Sequence, residues 1–184
     1  MLKNNNTKIM VTVALFVALI AIGAFMSIPV GPVSITLQTL FVMLSGFFLG
    51  KKAYLASIVY VFMGLMGLPI FSGFRGGLSS IYMPSFGFLI GMIFSALYIS
   101  IMFEKVKNIN FLKSLIIFIT SVLIIYLFGI PYMSYILNIY LGKAMSLSKI
   151  LRVGMLVFIP GDLLKCIVAA NIISRNHIER FRIK

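Results

Sequence analysis

Ile9-Met-Val-Thr-Val-Ala-Leu-Phe-Val-Ala-Leu-Ile-Ala-Ile-Gly-Ala-Phe-Met-Ser-Ile28 runs from end to end without a charged side chain. A helix needs about 20 predominantly apolar residues to cross the hydrocarbon core of a bilayer, and this stretch supplies them. No small-residue cleavage site of the secretory kind follows it, so it reads as a retained helix rather than a leader. Working outward, comparable apolar segments occupy 35–50, 53–68, 83–103, 114–137 and 150–174. The expectation is an all-α, polytopic membrane protein, a six-helix bundle forming one transmembrane domain over 1–184. Segments 35–50 and 53–68 are short for full crossings and share the Lys51-Lys52 turn. A thin, tilted or partly re-entrant backbone there is tolerated only where protein or a cavity covers it.

Composition agrees. Apolar residues make up 61% of the 184 positions and charged residues 10%, against roughly 45–50% and 25% in soluble domains. Such a chain cannot cover its surface with polar groups, so lipid must serve as much of its solvent. About six crossings of about 20 residues each leave no room for a soluble catalytic or nucleotide-binding domain. No G-x-x-x-x-G-K-[ST] phosphate loop is present either, so work that needs ATP requires another subunit.

The net charge of +13 points to topology and not to nucleic acid, because the basic residues sit singly or in pairs between apolar segments. With the N-terminus inside, Lys3, Lys8, Lys51, Lys52, Lys105, Lys107, Lys113, Arg175, Arg180, Arg182 and Lys184 fall on the cytoplasmic side, 11 of the 16 cations. The outer side receives Arg75, Lys143 and Lys149, with Arg152 near an outer helix end, while Lys165 lies in the membrane. Cytoplasmic loops are enriched in Lys and Arg, so both termini are expected inside and the number of crossings even. The lone Cys166 excludes an intramolecular disulfide. His177, on the basic tail, is given no chemistry, and the residues suggest no metal site or cofactor.

Two ionisable residues stand out. Asp162, the sole aspartate, falls inside the last segment in Val157-Phe-Ile-Pro-Gly-Asp-Leu-Leu-Lys165. Positions i and i+3 share a helix face, so Asp162 and Lys165 point the same way. Each charge costs roughly 2.5–3.5 kcal/mol at mid-membrane on insertion scales. A structural ion pair is one reading, but buried pairs stabilise poorly compared with apolar replacements. The other is a ligand site, the default for intramembrane ionisable groups. Pro160-Gly161 favours the second, since proline removes a backbone donor and glycine permits close approach.

Two outer connections carry further candidates. Gly67-Leu-Pro-Ile-Phe-Ser-Gly-Phe-Arg-Gly-Gly-Leu78 is a glycine-rich loop whose only charge is Arg75. That guanidinium could grip a carboxylate bidentately or simply be solvated. Pro29-Val-Gly-Pro-Val-Ser-Ile-Thr-Leu-Gln-Thr39 brings Thr36, Gln38 and Thr39 into the membrane. Thr36 and Gln38 share a face only if the chain enters extended. Gln38 is read as lining a cavity and Thr39 as bonding across helices. In the first segment, Ala14 and Ala18 are small residues four apart, a spacing that lets two helices approach closely, either within this chain or against a partner.

Three phrases, Gly31-Pro-Val-Ser-Ile-Thr-Leu-Gln-Thr-Leu40, Gly67-Leu-Pro-Ile-Phe-Ser-Gly73 and Pro160-Gly-Asp-Leu-Leu-Lys165, together resemble the BioY family. These are the biotin-specific S components of bacterial energy-coupling-factor (ECF) transporters. The resemblance implies a six-helix S component in the cell membrane that captures biotin from outside, with Asp162 and Lys165 in the vitamin site. It also implies docking, through Ala14 and Ala18, onto a transmembrane coupling protein and two ATPase subunits. Biotin carries a ureido head, a thioether ring and a valerate carboxylate. Asp162 would accept from the ureido N–H groups, Lys165 or Arg75 would meet the carbonyl or the carboxylate, and Phe71, Phe74 and Tyr82 would wall the ring. Family members often read Gly-Pro-Thr-Gly-Gly-Tyr before the fourth helix, where this chain has Met83-Pro-Ser-Phe-Gly-Phe88. The alternatives are an S component for another vitamin, such as riboflavin or thiamine, and a stand-alone carrier. An enzyme is not expected, because one histidine and one aspartate do not supply a nucleophile, base or metal set.

Overall fold

The computed structural model describes residues 2–106, 108–175 and 183. Lys107, His177, Arg180, Arg182 and Lys184 lie outside the described residues. Helix α1 (Leu2–Phe25) leads into a β-hairpin, β1 (Ser27–Val30) and β2 (Val33–Thr36). Helices α2 (Gln38–Phe48) and α3 (Ala53–Leu65) follow, joined by a single 3-10 turn at Gly50–Lys52. A 3-10 turn at Leu78–Tyr82 precedes α4 (Phe86–Lys105), and α5 (Phe111–Tyr135) continues into a π-helical turn, Ile136–Tyr140. The last span comprises α6 (Leu147–Leu151), a second π turn (Arg152–Leu156) and α7 (Ile159–Ile173).

Four helical stretches among the described residues are long and apolar enough to cross a membrane: Asn6–Phe25, Phe86–Lys105, Phe111–Tyr140 and Leu147–Ile173. The other two, α2 and α3, have 11 and 13 residues, or about 16 and 20 Å at 1.5 Å per residue. They fall short of a hydrocarbon core about 30 Å thick. The missing depth belongs to the hairpin before α2, which spans the end of the first predicted segment, its link and the start of the second, and to the 66–77 loop after α3. Ser27 pairs with Thr36, and Val30 with Val33, across the turn Gly31-Pro32. Gly31 at φ +66° supplies the positive dihedral that a two-residue hairpin turn demands. Extended backbone at membrane depth requires cover by protein or a cavity, and the hairpin forms one wall of a cavity.

The helices alternate in direction. Leu37 N donates to Gly23 O at 3.0 Å where α1 ends and α2 begins, while the Phe16 and Phe48 rings lie 6.0 Å apart toward the opposite end. Lys51 Nζ lies 3.9 Å from Glu104 Oε2, and Ile183 N donates to Phe48 O at 2.8 Å. The α2–α3 turn, the end of α4 and the last described residue therefore gather at one end of the bundle. The hairpin, the 66–77 loop and the 141–146 connection gather at the other.

Helices α4 and α5 pack closest. A Cβ built on Gly91 would lie 2.8 Å from Ile125 Cα, and one on Gly129 would lie 2.4 Å from a Phe88 ring carbon. Small residues that let backbones approach are what lipid-embedded helices use where no hydrophobic force drives them together. The stacked rings of Phe94 and Phe128, 4.5 Å apart, flank this contact.

Candidate functional site

The intramembrane charges sit where the last span breaks. The π turn ends at Leu156, and α7 restarts with Pro160 in its first turn, a position that tolerates a missing N–H. Asp162 thus lies in the first turn of a new helix, where its negative charge suits the helix dipole. Gly161 faces Ile35 of β2 and not the cavity.

Asp162 and Lys165 are each 7% exposed. Lys165 Nζ donates to Asp162 Oδ1 at 2.7 Å and to Thr39 Oγ1 of α2 at 3.0 Å. Tyr126 of α5 donates to Asp162 Oδ2 at 2.5 Å. The ion pair lies within one helix and so cannot clamp two helices by itself. The neutral partners Thr39 and Tyr126 make the cross-helix links.

These groups line one cavity of about 290 Å³, at the lower edge of the roughly 300–1,000 Å³ typical of small-molecule sites. The hairpin closes one side through Ser27, Pro29 and Ser34, and the 71–75 loop another through Phe71, Ser72 and Arg75. Phe86, Phe88, Leu89 and Met92 of α4 form an apolar wall. Gln38 sits at the floor, 4% exposed. It accepts from Thr36 Oγ1 at 3.1 Å and donates to the Tyr60 hydroxyl at 2.8 Å. The chain does enter α2 extended, with Thr36 and Gln38 on the same cavity. The hydroxyls of Ser72 and Ser80 also line it, and neither has a hydrogen-bond partner among the described residues. Arg75 is exposed at the wall, its Nη1 3.7 Å from Met83 Sδ.

Of the seven ligand candidates, Asp162, Lys165, Arg75, Gln38 and Phe71 converge on this space, and two do not. Phe74, 67% exposed at φ +57°, turns away to stack on Phe25 at 4.7 Å. Tyr82, 54% exposed, stacks on Tyr140 at 4.9 Å.

A model of the BioY family matches residues 1–181. The chain belongs to the BioY family. The biotin transporter BioY of Thermotoga maritima is 40% identical over 167 residues, spanning 90% of this chain and 94% of that protein. The probable biotin transporter BioY of Lysinibacillus sphaericus is 36% identical over 176 residues, spanning 95% and 89%. Among solved structures, the S component for biotin from an ECF-type ABC transporter matches with a TM-score of 0.71. It is 30% identical, with 95% of this chain and 93% of that one covered. This chain is accordingly a multi-pass membrane transport protein and not an enzyme.

Within this chain, sequence reasoning passed over Tyr126 and Tyr60. A tyrosine in an apolar segment resembles any other core aromatic, and the one available cue is that a buried phenol needs a partner. Ala14 and Ala18 are both exposed on the outer face of α1. Among the described residues, neither is buried against the rest of the bundle.

Proposed function

We propose that this chain is the S component of an ECF-type transporter, capturing biotin from the cell exterior in the cavity above Gln38. The observation that carries the reading is a paired Asp162–Lys165 facing a closed-in space in a BioY-family chain. An ionised carboxylate accepts through two oxygens with about four lone-pair sites. Tyr126 and Lys165 occupy one site on each, so further sites remain for the N–H groups of a ureido head. Phe71, Phe86 and Phe88 offer apolar surface to the ring and valerate chain, as small-molecule sites require. Lys165 or Arg75 meets the carbonyl or the carboxylate.

The whole chain acts as one transmembrane unit with both termini in the cytoplasm. Lys8, Lys51, Lys52, Lys105, Lys113 and Arg175 are grouped toward one end, which the positive-inside rule assigns to the cytoplasm. The cavity then opens outward. Passage inward depends on a transmembrane coupling protein and two ATPase subunits, docked on the Ala14–Ala18 face. Calorimetry on the purified chain in lipid nanodiscs tests the reading. Biotin binds, and riboflavin and thiamine do not compete. Retention of either of those vitamins in preference to biotin overturns the assignment, and uptake without a coupling module overturns the partner.

A further inference from the structure

The hydrogen bonds of the cavity floor extend beyond the cavity. Gln38 Nε2 donates to the Tyr60 hydroxyl, and that hydroxyl donates to Ile70 O at 2.8 Å. Tyr60, on α3, is 1% exposed and is not part of the cavity wall. Ile70 immediately precedes a tight loop in which Phe71 N donates to Arg75 O at 2.9 Å and Arg75 N to Phe71 O at 3.3 Å. That loop carries Phe71, Ser72 and Arg75 to the cavity. Helix α3 holds it at two points. One is Gly64, which accepts Gly77 N at 2.7 Å and makes room for the Phe71 ring. The other is Tyr60, which also holds the floor.

A phenol has a single proton, and here it is committed to Ile70 O. The hydroxyl can therefore only accept from Gln38, and this fixes which way the Gln38 amide faces. Its Oε1 receives Thr36, leaving one N–H and one lone pair of the amide for whatever occupies the cavity. A ligand bonded to Gln38 locks the amide on Tyr60 and the Tyr60 proton on Ile70. By linkage, order in the loop must favour the ligand to the same degree.

We propose that Tyr60 is a positioning residue that couples Gln38 at the cavity floor to the 70–75 loop at the cavity wall, setting how slowly ligand escapes. The binding half of this rests on the biotin reading; the loop half does not.

Tyr60→Phe isolates the hydroxyl, because it keeps the ring and its edge contact with Phe71 at 5.5 Å. In the ligand-free full chain in nanodiscs, hydrogen exchange over 68–77 accelerates at least ~5-fold in Tyr60→Phe and also in Gln38→Ala, since exchange reports local opening. Gln38 has no hydrogen bond to the loop, so a purely structural role for Tyr60 leaves Gln38→Ala exchange at the wild-type rate. With biotin, Tyr60→Phe raises the dissociation rate ~10-fold and leaves association within ~2-fold, the pattern expected of a lost hold on bound ligand. The double variant releases biotin no faster than Gln38→Ala alone, because coupled residues are not additive. Unchanged exchange in Gln38→Ala, or release rates that multiply in the double variant, overturns the coupling. A wild-type chain that does not hold biotin overturns the functional reading, and the exchange measurement still decides the coupling.

Discussion

Tyr126 and Asp162, 36 residues apart in the chain, meet between α5 and α7 through a phenol–carboxylate hydrogen bond of 2.5 Å. Lys165 binds the other carboxylate oxygen at 2.7 Å and reaches Thr39 on α2 at 3.0 Å. Three helices thus converge on one ion pair, with both carboxylate oxygens held by donors, and its orientation toward the cavity is fixed before any ligand arrives. Pre-organisation of this kind lowers the ordering cost of binding.

Asp162→Asn tests the charge. The amide keeps the shape but loses half the acceptor capacity, and Lys165 loses its counter-ion in a site where charge is costly. Biotin affinity measured by calorimetry falls at least ~10-fold, equivalent to about 1.4 kcal/mol, while the protein elutes as wild type on size exclusion. An affinity within ~2-fold of wild type would mean that the carboxylate does not contact ligand.

Tyr126→Phe tests the orientation separately. It leaves the Asp162–Lys165 pair in place and removes a hydrogen bond to a charged group, worth about 1.5–3 kcal/mol in general. Part of that is recovered when Asp162 finds another donor, so the expected loss of biotin affinity is ~3- to 10-fold, smaller than for Asp162→Asn. The order of the two variants is the diagnostic. A larger loss in Tyr126→Phe would show the phenol itself to be the ligand contact.

What the sequence disclosed follows from cost. Asp162 and Lys165 were conspicuous because charge in an apolar segment is expensive, and Arg75 because it is alone in its loop. Positions 35–50 and 53–68 are conspicuously short, but the reasons lie in the hairpin before the one and in the 66–77 loop after the other. Ile28, Val30, Val33 and Ile35 are as apolar as any helix, and Gly31-Pro32 could serve equally as a link or a turn. Pairing between strands fixed the answer, and a single sequence does not display pairing. The directions of Phe74 and Tyr82 are illegible for the same reason. Their direction is set by Phe25 and Tyr140, partners distant in the chain.

Gly91→Val tests the α4–α5 contact at Ile125, the residue before Tyr126. The new side chain meets Ile125 backbone, with the first carbon already 2.8 Å from Ile125 Cα, and backbone cannot swing aside as a flexible side chain would. Overpacking costs about 1–3 kcal/mol, so the melting temperature in detergent drops by several degrees, by about 4 °C or less per kcal/mol for a chain of this size. Unchanged melting would mean that the helices separate freely at this level.

Ala14→Leu with Ala18→Leu separates capture from delivery. Both positions are exposed on α1, more than two helical turns from the hairpin, and neither lines the cavity. Bulk there leaves the bundle and the biotin affinity of the isolated chain unchanged. It blocks the close backbone approach that small residues permit between helices in lipid. If this face receives the coupling protein, the double variant fails to copurify with a coexpressed module and biotin uptake in whole cells falls to the level of cells lacking the module. Uptake and copurification at wild-type levels would move the docking surface off α1. A parallel loss of biotin binding would instead show that these alanines act on the fold.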